Sequence, residues 1–268
     1  QWRVTFDMKT DVIIMAGGFA RRFAPISDYL PKPLFPVGGV PIINYVLEKT
    51  FETAPENILV STNKKYEFHF RHWLSTLNSF YPDDYLTKIH IILEPSLSED
   101  NKLGAIAGLK NAIEQFKPEN DLIVLLGDNL FNLDLNKFLS FGKSKNSITL
   151  AAFDIRDVKT ATNFGVLEVK EDKIVAFHEK PKSPPSSLVS TGIYFFPKHS
   201  IAEIDEYLKR GGSKDAMGSL FEYLIKNETV YSYTFSDGFW FDVGTPELYA
   251  KANEFVLKSG LFRRWMWP

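Results

Sequence analysis

There is no cysteine among the 268 residues. That excludes disulfides, thiolate metal sites and a cysteine nucleophile, and it fits a reducing compartment. Neither sign of charge is in excess, because 31 Lys and Arg stand against 33 Asp and Glu, a net charge of −2. Without a basic surplus the chain lacks the electrostatic footprint of a nucleic-acid binder, and no nucleic-acid partner is expected. No apolar run approaches the ~20 residues that span a bilayer, so no membrane partner is expected either. Residues 1–7 hold no apolar segment flanked by basic residues. Reading Met8 as a natural start, the expectation is a cytoplasmic protein without a secretory signal. The five histidines show no metal-ligand spacing with carboxylates. G-x-S-x-G is missing, which weakens a hydrolase reading, and so are the P-loop and the G-x-G-x-x-G dinucleotide pattern.

What is present reads as a globular α/β protein, with 44% hydrophobic and 24% charged residues. The front half alternates strand and helix patterns. Asp11–Met15, Asn57–Ser61, Lys88–Leu93 and Asp121–Leu126 are short β-branched or aliphatic runs. Between them, Pro41–Phe51, Tyr66–Leu77 and Leu103–Phe116 space their apolar residues as amphipathic helices. Such alternation predicts parallel strands joined by right-handed crossovers. After about Ser147 strands dominate, at Ile148–Phe153, Gly165–Val169, Ile174–His178, Leu188–Phe196, Val230–Phe235 and Gly238–Phe241. Helices are expected near Ser200–Lys209, Ala216–Lys226 and Glu247–Leu257. The organisation expected is one domain over residues 8–260. Residues 8–147 are expected to bind one ligand, and 148–260 to supply another pocket. The aromatic tail 261–268 either packs on the domain's own surface or makes a homo-oligomer contact.

Four constellations could carry chemistry. The first is Ala16-Gly17-Gly18, a glycine turn directly after a strand, where backbone N–H groups can approach a phosphate. Arg21, Arg22 and Lys32 add three positive charges, and Lys32 is stiffened between Pro31 and Pro33. The second is Asp128, at the carboxyl end of an apolar strand, where open α/β sheets bind ligands and where a carboxylate can hold Mg²⁺. The third is Asp242, which follows an aromatic strand and precedes a helix start with Thr245 as N-cap and Pro246 at the first turn. It could supply a second carboxylate to the same metal. In the fourth, Glu179 and Lys180 are neighbours that a regular strand would point to opposite faces. A bend at Pro181 would let both serve one pocket.

Taken together the motifs resemble the sugar-1-phosphate nucleotidyltransferases, or NDP-sugar pyrophosphorylases. The resemblance rests on AGGFARRFAP (Ala16–Pro25), PKPLFPVGGVPII (Pro31–Ile43), LGAIAGL (Leu103–Leu109), LGDN (Leu126–Asn129), NFGVLEV (Asn163–Val169), HEKP (His178–Pro181), STGIYFF (Ser190–Phe196) and FWFDVGTPELY (Phe239–Tyr249). Their order and approximate spacing agree with the family from Met8 to about Leu257. The resemblance implies a Rossmann-like nucleotidyltransferase fold, with a mixed, mostly parallel sheet flanked by helices. It implies a reaction that joins a hexose 1-phosphate to a nucleoside triphosphate and releases pyrophosphate. Arg22, Lys32 and Lys180 take catalytic positions. Ala16, Gly17, Gly18, Arg21, Gly104 and Asp128 fall on the nucleotide, and Gly165, Glu179, Lys180 and Thr191 on the sugar phosphate. Asp128 and Asp242 match the Mg²⁺ carboxylates.

Two departures stand out. Ala20 replaces the family's usual glycine and would resist a positive φ, and Arg21 replaces its usual threonine. They are the only support for a non-catalytic regulatory subunit that binds nucleotide-sugar. A glycosyltransferase would normally show Asp-x-Asp, which Asp128-Asn129-Leu130 lacks. Among substrates, glucose 1-phosphate with thymidylyl or uridylyl transfer ranks ahead of mannose 1-phosphate with guanylyl transfer, because EPSLSEDNKLGAIAGL resembles archaeal members of the first kind. FDVGTPELY leans toward the second.

Overall fold

The structure, a computed structural model, describes residues 9–265. The expected start at Met8 and the tail residues Met266–Pro268 lie outside the described residues. The first half runs through β1 (Thr10–Met15), α1 (Ile26–Tyr29), the hairpin β2 (Pro36–Val37) and β3 (Val40–Pro41), and α2 (Ile42–Phe51). It continues with β4 (Asn57–Asn63), α3 (Glu67–Thr76), α4 (Asp83–Leu86), β5 (Ile89–Glu94), α5 (Ala105–Phe116), β6 (Asp121–Leu126), β7 (Asn129–Phe131) and α6 (Leu135–Lys145). The second half holds β8 (Thr149–Asp154), β9 (Gly165–Lys170), β10 (Lys173–Glu179), β11 (Leu188–Phe196), α7 (Ala202–Lys209), α8 (Met217–Asn227), β12 (Tyr231–Phe235), β13 (Trp240–Asp242) and α9 (Pro246–Ser259).

Nine strands form one sheet in the order β5-β4-β1-β6-β11-β8-β12-β10-β9. Strands β5, β4, β1 and β6 are mutually parallel, as alternation with helices predicts. Beyond β6 the sheet turns mixed. β11 runs antiparallel to β6 and β8, β12 lies parallel to β8, and β10 and β9 close the edge as an antiparallel pair. The parallel character is thus concentrated in the first half, where the loops leaving β1, β5 and β6 all emerge at one end of the sheet.

Both faces are covered. On β1, Val12 and Ile14 pack with Leu47 of α2, Phe70 of α3 and Phe138 of α6. Ile13 points the other way, onto Ile106 and Leu109 of α5 and Phe221 of α8. Burial on both faces is why β1, β4 and β6 read as continuous apolar runs rather than alternating ones. A third cluster joins Val37, Val40 and Tyr45 to Ala252 and Val256, so α9 packs back against the N-terminal hairpin.

Predicted and observed elements differ at particular residues. The helix expected from Leu103 begins at Ala105, because Gly104 sits at φ +91°. Helix α6 carries no prediction; its run LNKFLSFGKSK is diluted by Ser and Gly, which are poor helix formers. The Asp134 carboxylate nevertheless caps it, accepting from the Lys137 N–H at 3.1 Å. Gly142 is there because a Cβ would come within 2.5 Å of the Phe195 ring. The described part of the aromatic tail, Leu261–Trp265, packs on the chain's own surface. The Trp265 ring stacks edge-on against Phe80 and Tyr81, at centroid distances of 5.4 and 5.5 Å.

Candidate functional site

Two adjoining cavities open at the carboxyl ends of β1, β5 and β6 and beside the antiparallel β11 around Ser190–Gly192. The smaller, about 190 Å³, is lined by Ala16, Gly17, Gly18, Lys32, Glu94, Gly104 and Asp128, among others. The larger, about 480 Å³, is lined by Gly165, Glu179, Lys180, Thr191, Gly218 and Asp242, among others. Ala105, Leu126 and Asp215 border both, so the two meet rather than stand apart.

The smaller cavity begins where β1 ends. The Ala16 N–H donates to the Ser61 carbonyl at 2.7 Å, and Asn63 Nδ2 donates to the Gly17 carbonyl at 2.9 Å. These bonds pin the turn through the Ala16 N–H and the Gly17 carbonyl. Among the described residues no protein acceptor takes the Gly17 or Gly18 amides, so they stay open to an anion. Ala20 does adopt the left-handed conformation, φ 49° and ψ 47°, in spite of its Cβ. The chain then makes a short 3₁₀ turn that buries Phe23 against Phe35 and Tyr249. Because Phe23 anchors the turn inward, Arg21 and Arg22 face solvent and neither lines a cavity. Arg21 pairs with exposed Asp100 at 3.3 Å. Arg22 donates through Nη1 to the Gly244 carbonyl at 3.4 Å, on the rim beside Asp242.

Lys32 and Asp128 form an ion pair with side chains only 14% and 22% exposed. The ribbon of β7 and β13 places Asp128 next to Asp242. Asn129 pairs with Asp242, and the Val243 N–H reaches the Asp128 carbonyl at 3.3 Å. Burial pushes the Asp242 carboxyl up to about 6, and the Asp128 carboxylate pushes the same way; Lys32, Lys180 and Arg22 pull against both. Asp128, Lys32, Lys180 and Arg22, all singled out in the sequence, are therefore within electrostatic reach of Asp242. Two crowded carboxylates offering hard oxygens fit a divalent cation such as Mg²⁺, which takes one or two carboxylates and completes its shell with phosphate oxygens and water. No group of three or more metal-ligating side chains occurs among the described residues.

In the larger cavity, β10 ends at Glu179 opposite Gly165. Lys180 follows at φ 45°, and its N–H bonds to the Phe164 carbonyl at 3.1 Å. The left-handed step at Lys180 itself, one residue before Pro181, brings both side chains to one pocket. Lys180 Nζ lies 3.6 Å from Glu179 Oε1. Gly165 and Gly218 are bare because a Cβ at either would strike the Phe177 ring, and at Gly218 also the Glu179 carboxylate. Thr191 lies at a register shift in β11, where Gly192 takes φ +76°. Its hydroxyl donates to the Ala151 carbonyl at 2.7 Å, while its own carbonyl accepts from Asn129 and Trp240. Thr191 thus lines the cavity chiefly by its backbone.

A profile of the family described as nucleotidyl transferase matches residues 11–259. The chain belongs to that family. An assigned mannose-1-phosphate guanyltransferase of Sulfolobus acidocaldarius is 31% identical over 242 residues, covering 90% of this chain and 61% of that protein. A glucose-1-phosphate adenylyltransferase of Vibrio parahaemolyticus is 31% identical over 275 residues, covering 92% of this chain and 66% of that protein. The chain thus spans less than two thirds of the length of either. Among solved structures, an assigned glucose-1-phosphate thymidylyltransferase from Bacillus anthracis, bound to a sucrose, superposes with a TM-score of 0.75 and 25% identity. The match covers 92% of this chain and 95% of that one. The names of these three relatives differ in base and in sugar.

Sequence reasoning passed over Glu94, Lys102 and Asp215. Glu94 ends β5 and was accessible to the strand-end rule that picked out Asp128. Asp215 carried no such signal: it lies in a loop of the second half and reaches the site only because α8 packs over the start of α5. There its carboxylate accepts from the Ala105 N–H at 3.0 Å and pairs with Lys102 at 2.8 Å. Burial pushes Asp215 upward, but these two bonds outweigh it and leave its carboxyl below the usual range.

Proposed function

We propose that this protein transfers a nucleotidyl group from a nucleoside triphosphate to the phosphate of a hexose 1-phosphate, releasing pyrophosphate. The observation that supports this most is the meeting of two cavities at one charged cluster, Lys32–Asp128–Asp242, with Arg22 on its rim and Lys180 across from it. Residues 8–147 supply most of the smaller cavity and most of the triphosphate's contacts, and residues 148–260 supply most of the larger one.

The attacking group is a phosphate oxygen already ionised at pH 7, so no general base is needed. The barrier is electrostatic: two like unit charges ~4 Å apart at an effective dielectric of ~20 repel by about 4 kcal/mol. Lys180 holds the attacking phosphate, and Glu179 accepts from sugar hydroxyls. The Gly17 and Gly18 amides with Lys32 receive the triphosphate, and Arg22, held on the rim by the Gly244 carbonyl, swings inward to meet the charge that develops on the α-phosphate and the leaving pyrophosphate. Asp128 and Asp242 would hold Mg²⁺, which when bound supplies charge neutralisation to the phosphates.

A panel of four triphosphates against glucose, mannose and N-acetylglucosamine 1-phosphates, read as pyrophosphate release, tests this. Release that needs one member of each class is expected. Absence of release from every pair contradicts the reading and favours the non-catalytic, nucleotide-sugar-binding alternative. Asp128→Asn and Asp242→Asn should each raise the Mg²⁺ concentration needed for half-maximal rate.

A further inference from the structure

Helix α5 starts without a cap of its own. Its N-cap is Gly104, which has no side chain to offer the Ala105, Ile106 and Ala107 amides, and the helix itself cannot satisfy them. One distant turn takes all three. The Ala105 N–H donates to Asp215 Oδ1 at 3.0 Å, across 110 residues of sequence. The Ile106 and Ala107 N–H groups donate to the Lys214 carbonyl at 2.8 and 3.1 Å. Glycine is needed at position 104 for this approach, since a Cβ there would lie 2.6 Å from that carbonyl. The turn is shaped by its own bonds. The Ser213 N–H donates to the Tyr207 hydroxyl at 2.9 Å, and Ser213 Oγ accepts from the Asp215 and Ala216 N–H groups at 3.3 and 3.2 Å. The second Asp215 oxygen pairs with Lys102 at 2.8 Å, so both oxygens are committed to the chain.

These bonds join two walls. Lys102 and Gly104 line the smaller cavity, while Ser213, Ala216, Met217 and Gly218 line the larger one. A capping side chain at position 104 would hold the helix locally and leave the walls independent. Here the start of α5 is held only as firmly as the turn on the other cavity's wall. We propose that Asp215 is a positioning residue that couples the two cavities: a ligand in the larger one steadies the turn 213–216, and through it the start of α5. This inference rests on the nucleotidyl-transfer reading, which puts a sugar phosphate in the larger cavity. An uncapped first turn frays, and a ligand that binds better to the capped form favours that form by mass action. The coupling is reciprocal, so a triphosphate in the smaller cavity steadies the larger cavity's wall in return.

The test is amide hydrogen exchange of the full chain, read residue by residue by NMR, with and without glucose, mannose and N-acetylglucosamine 1-phosphates. The Lys180 amide, bonded to the Phe164 carbonyl at 3.1 Å, reports occupancy of the larger cavity. Ile106 and Ala107 border neither cavity and report the cap. The sugar phosphate that protects Lys180 should slow exchange at Ile106 and Ala107 by about fivefold or more. In Asp215→Ala that slowing should vanish while Lys180 stays protected. Asp215→Asn keeps an acceptor oxygen for the Ala105 N–H and should recover most of it. Ser213→Ala loosens the turn without touching α5; it should lose part of the slowing, and it carries the test if Asp215→Ala does not fold. A merely structural Asp215 would leave the ratio of rates with and without ligand unmoved in these variants, even where both rates rise. That result overturns the proposal, and so does a parent in which Lys180 is protected and Ile106 and Ala107 are not. Pyrophosphate release from the same samples on adding triphosphates separates the two readings. Linked protection without release contradicts nucleotidyl transfer and leaves the coupling standing. Release without linked protection does the reverse, and protection of Lys180 by none of the three sugar phosphates overturns both.

Discussion

The two cavities are built on opposite plans. The smaller one is rigid: Gly17, Gly104 and Gly108 set its walls, Lys32 and Lys102 are held in ion pairs, and one carboxylate is buried in it. At Gly104 even a methyl would lie 2.6 Å from the Lys214 carbonyl. The larger one presents its polar groups on Glu179 and Lys180, whose side chains are 42% and 58% exposed at the mouth of an open space. A base and a triphosphate are read best by fixed atoms, since each donor is already in place when charge develops. A sugar phosphate is held by long side chains that adapt. The smaller cavity should therefore control nucleotide choice and turnover, and the larger should control sugar-phosphate affinity.

The heaviest blow to that division is Arg22→Ala, which removes the cation on the rim of the charged cluster. It should lower kcat by on the order of 10² to 10³ while barely moving sugar-phosphate binding. Steady-state kinetics with near-parental turnover would remove Arg22 from the mechanism.

Next comes the energetic signature of the rigid wall. Burial raises Glu94 to about 7 from an ordinary 4.5, so the folded state is favoured below pH 4.5 and loses that contribution as pH rises through 7. Glu94→Gln loses nothing over the same window. Denaturant unfolding should find the variant more stable by on the order of 2–3 kcal/mol at pH 8 and equal at pH 4. A parent whose stability does not fall from pH 5 to pH 8 relative to the variant would mean that the carboxylate is not desolvated.

Lys180→Ala probes the adaptable side. Losing one charge-assisted contact to a phosphate should raise KM for the sugar phosphate about tenfold. Nucleotide affinity measured alone should stay as in the parent; a comparable loss there would merge the two cavities into one.

The smallest effect concerns the phosphate turn. Ala20 holds φ 49° against the strain of its Cβ, and Ala20→Gly should stabilise the fold by about 1 kcal/mol. Thermal unfolding reads this as a rise of a few degrees, and a fall would show that the methyl packs more than it strains.

Much of this was legible in the sequence wherever one local pattern determined the outcome. The β1 run DVIIM, the strand DLIVLL and the strand LVSTGIYFF lie where their apolar content puts them, because burial on both faces leaves little alternative. The place of Asp128 on the cavity wall was legible because it follows the carboxyl end of a strand, where cavities open in this kind of sheet. The strain at Ala20 was legible too: its Cβ made a positive φ costly, and the structure accepts that conformation. What was not legible depends on distant packing. Arg21 and Arg22 carry the right charges, but whether they point inward depends on where Phe23 is anchored, and its partner Tyr249 lies over two hundred residues away. Asp215 joins the site only through the docking of α8 on α5. Helix α6 hid behind weak propensity, and its Gly142 answers to Phe195 on another strand.

The central claim is that one charged cluster joins the two cavities. A crystal structure of the full chain with Mg²⁺, a non-hydrolysable triphosphate analogue and a hexose 1-phosphate tests it most directly. The account predicts one ion shared by Asp128 and Asp242, the α-phosphate beside it, and the sugar phosphate on Lys180 in line with the α-phosphorus. An ion held away from either carboxylate, or a sugar phosphate out of reach of the α-phosphorus, would contradict it.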